Sequence, residues 1–285
     1  AEALRSLSEN RPPGSNRLHF FGFDIDVLAG GGYEDLAGLI NQYRDAPEVR
    51  SLQTLLERVP GETIDQEIDR LTRAVQIIGH QSDQLAKRLG KEHYQQIKQW
   101  SLTLLDSFKF IRTANPANDW ATLNRAMAAR EEVMAHHVMH VWSQMAPEEK
   151  LVLMGHNRHL SKDAGSIHTK GASPGSRQWH SMGTLIHRLL PDQVFSIWML
   201  HDQGLSSQPY NWLSSEYTSI PGSLNSILAE VGPAFILPTS SDDPRAGLLA
   251  TKMNIAGLYN QVYRTAIARQ ADAIFFVRKV SPLRP

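Results

Sequence analysis

The sequence has no cysteine, no excess of either charge and no long apolar run. Without cysteine the chain can form neither disulfide bonds nor thiolate zinc sites, and it has no cysteine nucleophile. Its 29 basic residues balance its 29 acidic residues, so no net field attracts the protein to nucleic acid or to an anionic membrane surface. No stretch approaches the roughly 20 apolar residues of a membrane-spanning helix. We therefore expect neither nucleic acid nor a membrane as a partner. The lack of cysteine is compatible with either side of a membrane, so the compartment stays open, with the cytoplasm as our expectation.

The N-terminus does not resemble a targeting signal. Ala1-Glu2-Ala3-Leu4-Arg5 has no basic start followed by an apolar run. Because the first residue is not methionine, we expect an upstream portion of the protein to precede it. The 285 residues can bury a large core without disulfide or metal staples. We expect residues 1–285 to form one domain that is incomplete at its N-terminus.

Short apolar runs that alternate with helical patterns predict the fold class. Four runs have the length and the flanking turn residues of buried strands, at residues 18–25, 150–155, 194–201 and 272–277. Helices are predicted between them, over residues 119–145 with Asp119 as N-cap and over residues 178–190. Strands separated by helices indicate a helix-rich, layered α/β domain with a parallel or mixed central sheet.

A long helical hairpin is predicted as an insertion at about residues 62–114. Apolar residues between positions 64 and 89 recur at the spacing of one helix face, and Thr63 with Gln66 forms a capping box. Gly90 ends this helix, and a second apolar pattern follows it. We expect the two helices to pack antiparallel and to form a wall beside a pocket.

The densest group of reactive side chains is Gly155-His156-Asn157-Arg158-His159, directly after the predicted strand 150–155. Imidazoles exchange protons near neutral pH, and open α/β sheets bind ligands at the tips of their strands. The alternative is a hydrogen-bonded structural histidine at a strand end with an exposed neighbour. The Gly- and Ser-rich segment 163–177 is predicted to be a mobile loop over the same tip.

A metal site is a competing interpretation. His136 and His140 are four residues apart on the predicted helix 119–145, which is the spacing of two zinc ligands on one helix face. A third ligand is required, and only His156 or Glu132 suggests itself. The sequence has no His-Glu-x-x-His motif, so we predict that the protein holds no metal.

Several motifs in order resemble those of the erythromycin esterase family. The segment 129–135 (Ala-Arg-Glu-Glu-Val-Met-Ala) resembles its Arg-Asp/Glu-x-x-Met-Ala helix, and the segment 151–161 resembles its strand that ends in Ala/Gly-His-Asn-x-His. Met182-Gly183 matches a Met-Gly pair that opens the next helix. The segments 20–24 and 271–277 resemble the family's Phe-Tyr-Gly-Leu/Phe-Asp strand and its closing strand.

The resemblance implies a metal-independent hydrolase without a cofactor, in which a histidine activates water to cleave an ester or macrolactone. The expected substrate is a small molecule, with macrolides and hence antibiotic resistance among the possibilities. Catalytic roles carried over to this sequence fall to His156, Arg130 and Glu131, and substrate-binding roles to His159, Asn157, His137 and Asp24.

The sequence also departs from the family pattern. The family's general base lies in a Gly-Glu-x-x-His segment that this sequence lacks, so we expect the 285-residue chain to have little activity by itself. His136 and His137 stand where the family commonly has an acidic residue and asparagine. The alternative function is a non-enzymatic ligand- or metal-binding protein that uses the same histidine-rich cleft.

Overall fold

The structure is a computed structural model that describes residues 22–25, 33–114, 119–169, 179–207, 214–239, 247–256 and 262–281. Helices dominate the first half of the chain and strands the second half. Parallel and antiparallel strand pairs occur in one sheet, which confirms the predicted helix-rich α/β class with a mixed sheet. Within the described ranges, no helix is long and apolar enough to cross a membrane. The extent of the domain stays a prediction.

A layer of packed helices occupies residues 33–113. Its helices are α1 (Tyr33–Asn41), α2 (Pro47–Leu56), α3 (Ile64–His80), α4 (Ser82–Leu89) and α5 (Lys91–Thr113). Their apolar faces bury a common core that includes Leu36, Leu52, Leu71 and Ile97. The predicted capping box is confirmed, because the Thr63 hydroxyl accepts from the Gln66 N–H and the Gln66 side chain accepts from the Thr63 N–H.

The predicted single helix from Thr63 to Leu89 is wrong in one respect. The chain leaves helical geometry at Gln81, where φ is −99° and ψ is 20°, and this residue separates α3 from α4. Gly90 then adopts a φ of 81°, a left-handed value that favours glycine, before α5 begins. Helix α5 packs along both α3 and α4, so the expected hairpin forms with a broken first arm. Its status as a separate subdomain at about residues 62–114 stays a prediction.

A buried polar network ties the first helices together. The Arg70 guanidinium lies 2.9 Å from Glu62 Oε2 and donates to the Tyr33 hydroxyl at 3.1 Å. The Tyr33 hydroxyl in turn donates to Glu67 Oε1 at 2.7 Å, and burial raises the Tyr33 pKa well above its usual value. Each buried charge therefore has a partner, which is the condition for its tolerance in a core.

Two helices and a four-stranded sheet carry several of the motifs noted in the sequence. Helices α6 (Trp120–Trp142) and α7 (Met182–Leu189) pack through Met134, Val138, Met182 and Ile186. The sheet has the order β3-β2-β7-β4, with β2 parallel to β7 and the other pairs antiparallel. Its strands are β2 (Ile197–Ser207), β3 (Ser214–Thr218), β4 (Ala234–Pro238) and β7 (Ala273–Val280).

A second, antiparallel sheet and two short helices complete the described fold. The sheet has the order β1-β6-β5, with β1 (His168–Thr169), β5 (Met253–Ala256) and β6 (Val262–Thr265). Helix α8 (Leu224–Val231) packs on β2 and β5, and α9 (Gly247–Ala250) lies near the segment that precedes β7. Trp198, Ile274 and Phe276 fill the core beneath α8.

The opposite face of the four-stranded sheet is apolar and open to solvent. Met199 is 61% exposed and Ile236 is 65% exposed, whereas Trp198, the neighbour of Met199 on the other face, is buried. The segment before the histidine cluster adds Val152 and Met154, which are 81% and 79% exposed. Among the described residues, packed side chains cover the face of the sheet that carries Trp198.

Two of the four strands predicted from the sequence are present in the structure. Strands over 194–201 and 272–277 are confirmed as β2 and β7, with shifted ends. The strand over 150–155 is wrong, because this segment pairs with no other strand of the described residues, although Leu151 and Leu153 point into the core around α6. For the strand over 18–25, residues 18–21 lie outside the described residues and 22–25 have no strand assignment.

The helix predicted over 178–190 is confirmed with a later start, at Met182. The loop predicted over 163–177 is corrected where the structure describes it. Ala164–Ser166 form a 3-10 turn, and Ala164 and Ile167 are fully buried, so this part belongs to the core and is not a lid. Residues 170–177 lie outside the described residues.

Candidate active site

Helix α6 presents the first group of predicted site residues. Asp119 caps the helix by accepting from the Thr122 N–H at 2.8 Å, as predicted. The face that carries Met134 and Val138 packs against α7, and it also carries two buried polar residues, Glu131 and His137. A buried carboxylate and a buried imidazole need partners within the fold, and both have them.

The histidine cluster, residues 155–159, includes a tight turn. The Asn157 side chain connects this turn to the four-stranded sheet by hydrogen bonds. The Asn157 side-chain amide donates to the Met199 carbonyl at 2.8 Å and accepts from the Met199 N–H at 3.1 Å. The amide thus pairs with strand β2 as the peptide group of a neighbouring strand does. Asn157 was predicted to bind substrate, but its amide is engaged in holding the turn.

Gly183 lets the start of α7 approach this turn closely. Its N–H donates to the His159 carbonyl at 2.7 Å, and a Cβ at this position would lie 2.4 Å from the Leu160 carbonyl carbon. The caps of α7 reinforce the contact, because the Ser181 hydroxyl donates to the Ser161 carbonyl at 2.9 Å. The Met-Gly pair noted in the sequence therefore has a steric reason.

Glu131 and His159 form a tightly bonded pair in this turn. Glu131 is 2% exposed, and its Oε1 lies 2.6 Å from His159 Nδ1. The same oxygen accepts from the Trp179 indole N–H at 3.3 Å, and Oε2 accepts from the Met182 N–H at 2.8 Å. This carboxylate oxygen serves as a hydrogen-bond acceptor, so His159 Nδ1 is assigned as the donor, and in the neutral ring the lone pair is then on Nε2.

His156 has a different environment three residues earlier. Burial, followed by the charges of His159 and Arg158, lowers the pKa of His156 from its usual value to about 4. Its Nδ1 accepts from the Arg158 N–H at 3.3 Å, which leaves the hydrogen on Nε2. His156 is therefore neutral at neutral pH, a hydrogen-bond donor through Nε2 and a weak base.

Arg130 is bound to Asp24. The Arg130 guanidinium makes a two-point contact with the Asp24 carboxylate, with Nε 2.8 Å from Oδ1 and Nη2 bonded to Oδ2. The neighbouring Phe23 ring lies 3.6 Å from the place where a Gly155 Cβ would be. Residues 22–25 thus contact both α6 and the segment that leads to His156.

His137 is enclosed by the protein. Its Nδ1 lies 3.1 Å from the Phe23 carbonyl and its Nε2 lies 3.2 Å from the Thr103 hydroxyl on α5. Burial lowers its pKa. Both ring nitrogens of this predicted substrate-binding residue have protein partners, and the ring links residues 22–25 to the helical layer.

Comparison with known protein families identifies the family of the chain. The family model described as erythromycin esterase matches residues 1–280. The chain belongs to the erythromycin esterase family. No curated protein matches it.

Solved structures show the same fold. A protein from Bacillus cereus matches with a TM-score of 0.69 and 16% identity, over 98% of this chain and 70% of its own. A protein named for succinoglycan biosynthesis matches at 0.68 and 16%, over 98% and 69%. A mutant of the erythromycin esterase EreC, in its open conformation, matches at 0.66 and 17%, over 98% and 71%. At these identities the likeness concerns the fold alone.

The variable position of the erythromycin esterase motif Ala/Gly-His-Asn-x-His is occupied here by Arg158. Its guanidinium carbon lies 4.4 Å from the centre of the Trp179 ring, and it hydrogen-bonds the buried Tyr263. Sequence reasoning did not select Arg158, Trp179 or Tyr263. A basic residue within the motif was the one available signal, because Trp179 and Tyr263 reach the site through contacts that no local pattern encodes.

The alternative metal ligands do not converge. His136 is exposed, and His140 Nε2 lies 2.8 Å from the Gln144 side chain. Across the part of the chain that the structure describes, no group of three or more His, Asp or Glu side chains is placed to hold a metal ion.

Proposed function

We propose that this member of the erythromycin esterase family hydrolyses an ester or lactone bond of a small molecule. The observation that carries the proposal is the pair of Glu131 and His159. The buried carboxylate fixes the imidazole ring and directs its Nε2 lone pair away from Glu131. A histidine oriented in this way can take a proton from water as the water attacks a carbonyl carbon.

His156 has the properties of a group that stabilises negative charge on the carbonyl oxygen. It stays neutral at neutral pH and keeps a hydrogen on Nε2. A neutral N–H donor at the oxygen that becomes negative contributes about 10²- to 10³-fold to such reactions. The centres of the His156 and His159 rings lie 6.2 Å apart, and the ring planes are nearly perpendicular. One ring can therefore contact the carbonyl oxygen of an ester while the other contacts the attacking water.

Arg130 and Asp24 support the site from the side of α6. Because Asp24 neutralises Arg130, we assign the pair to holding residues 22–25 beside the turn. The resemblance gives the general base to a Gly-Glu-x-x-His segment, which this sequence lacks. The proposal instead gives proton uptake to His159, so the 285-residue chain should retain measurable turnover. Macrolides are one class of lactone to test.

The test measures hydrolysis of generic 4-nitrophenyl esters and of macrolactones by the chain and two variants. We expect Glu131→Gln and His159→Gln to lower kcat by about 10²- to 10⁴-fold, because each removes the oriented base. His136→Gln is the matched control, since His136 lies exposed on the same helix as Glu131. Circular dichroism verifies that the variants fold.

Two outcomes would contradict the proposal. Undiminished turnover by a folded His159→Gln protein would remove His159 from the mechanism. Stoichiometric ligand binding without turnover by the unmodified protein would support the non-enzymatic alternative.

A further inference from the structure

Within the described part of the chain, Arg158 is a cation near the candidate site without a carboxylate partner. Two other cations nearby have one: Arg130 contacts Asp24, and Lys162 contacts Asp272. Among the described residues, no ion pair of Arg158 occurs, and its Nε is buried without a hydrogen-bond partner. A partly buried charge that lacks a counter-charge is costly, and a bound anion would compensate it.

The guanidinium is held rigidly by two aromatic side chains. It stacks on the Trp179 ring at 4.4 Å and hydrogen-bonds the Tyr263 hydroxyl. Stacking uses the flat face of a guanidinium and leaves the donors at its edge available. A planar edge of N–H groups matches the two oxygens of a carboxylate.

Arg158 borders the same cluster as the proposed catalytic histidines. It stands between His156 and His159 in sequence, and its charge contributes to the environment of the His156 ring. The ring on which it stacks, Trp179, donates its N–H to Glu131. Glu131 already accepts from His159, Trp179 and Met182, so it has no need of Arg158 as a further partner.

We propose that Arg158 binds a carboxylate group of the substrate, so that the preferred substrates are esters or lactones that carry a carboxylate near the bond to be cleaved. This inference rests on the proposed hydrolase function and deepens it. Arg158 is then a specificity-determining residue, because it acts on a part of the substrate that does not react. Hydrolysis itself is unchanged: water adds to the carbonyl carbon, the C–O bond breaks, and the alcohol leaves with a proton.

The experiment compares 4-nitrophenyl butyrate with the mono-4-nitrophenyl ester of glutaric acid, which has the same acyl chain with a carboxylate added at its end. The spontaneous hydrolysis of each ester is measured without protein and subtracted. We expect the unmodified protein to favour the anionic ester by about 10-fold or more in kcat/KM, mainly through KM. Arg158→Gln should abolish this preference, because it lowers kcat/KM for the anionic ester more than for the neutral ester. Arg158→Lys should restore part of it, because an ammonium group attracts the carboxylate without the two-point geometry.

Arg264→Gln is the matched control, because Arg264 is exposed and follows Tyr263 on β6; it should keep the preference. Calorimetric titration with glutarate gives a readout that needs no turnover. We expect glutarate to bind the unmodified protein and the Arg264→Gln variant but not the Arg158→Gln variant.

The outcomes separate this inference from the proposed function. Equal hydrolysis of the two esters by the unmodified protein overturns the role of Arg158 even if no variant folds, and leaves the hydrolase proposal standing. Equal loss of both esters in a folded Arg158→Gln protein also overturns it. Glutarate binding that requires Arg158, in a protein that hydrolyses neither ester, would support the anion site and overturn the hydrolase.

Discussion

At the scale of single residues, two histidines three positions apart acquire opposite chemical properties from their surroundings. His159 faces a buried carboxylate that fixes its tautomer, whereas His156 is partly buried near the charges of Arg158 and His159. The first arrangement favours proton acceptance, and the second keeps a ring neutral. The resemblance assigned a catalytic role to His156 and a substrate-binding role to His159. Our proposal gives proton uptake to His159 instead, because it takes the contact with Glu131 and the burial of each ring into account.

The low pKa of His156 predicts a specific pH dependence of stability. In the unfolded chain this histidine takes up a proton near its usual pKa of 6.5, whereas the folded protein resists protonation until about pH 4. Between these values the unfolded state binds more protons, so the free energy of unfolding falls as the pH falls, by up to about 3 kcal/mol. Above pH 6.5 the contribution of His156 to this free energy is fully present.

Urea unfolding at a series of pH values measures this effect. His156→Gln should show a shallower loss of stability between about pH 6.5 and about pH 4 than the unmodified protein. His136→Gln, at an exposed position of α6, should behave as the unmodified protein does. The same slope for all three proteins would show that His156 is not buried in its neutral form.

At the scale of elements, the start of α7 packs closely against the turn that carries His159. Gly183 has no space for a Cβ against Leu160, and Met182 donates its N–H to Glu131. The position of this helix therefore determines the position of the carboxylate that orients His159. A shift of α7 should affect stability and the site together.

Gly183→Ala tests this coupling. We expect the added methyl group to push α7 away from Leu160 and to lower the free energy of unfolding by about 1–3 kcal/mol. Turnover should fall as well, since the bond from Met182 to Glu131 is stretched. Gly79→Ala on α3 is the control, because its new Cβ would meet nothing within 4 Å, and it should stabilise the helix by about 0.5–1 kcal/mol. Unaltered stability of Gly183→Ala in urea unfolding would contradict the close approach.

Local signals account for the elements that sequence reasoning found. The caps at Thr63 and Asp119 and the apolar runs of β2 and β7 depend on neighbouring residues only, and all are confirmed. Strand β3 was missed because its sequence, Ser-Ser-Glu-Tyr-Thr, has no apolar run and forms by pairing with β2. The strand predicted over 150–155 failed for the converse reason, since an apolar run becomes a strand only with a partner.

In the candidate site too, local motifs predicted some residues, whereas residues that depend on distant contacts were missed. His156, His159 and Glu131 were selected from the order of motifs, and the structure places them in one cluster. Trp179 and Tyr263 could not be selected, because they reach Arg158 from distant parts of the chain. Asn157 and His137 carry polar groups of the expected type, but protein partners occupy them, a fact that only three-dimensional contacts reveal.

At the scale of the whole molecule, the four-stranded sheet has one covered and one open face. Solved relatives are longer, since the match spans 98% of this chain but only 69–71% of theirs. Large apolar side chains are exposed on this face, among them Met199, and on the segment before the histidine cluster, among them Met154. Apolar patches of this kind make a protein bind hydrophobic dyes and self-associate.

Met154→Glu combined with Met199→Glu should reduce dye binding by the 285-residue chain without loss of stability. Both side chains are mostly exposed, at 79% and 61%, so charges there remain in water and the free energy of unfolding should change by less than about 0.5 kcal/mol. Fluorescence of the dye 8-anilinonaphthalene-1-sulfonate and light scattering at rising protein concentration measure the effect. Val59→Glu, at an exposed position before α3, is the control and should leave dye binding unchanged. A large loss of stability in the double variant would mean that these methionines are packed in solution, and the face would then not be open.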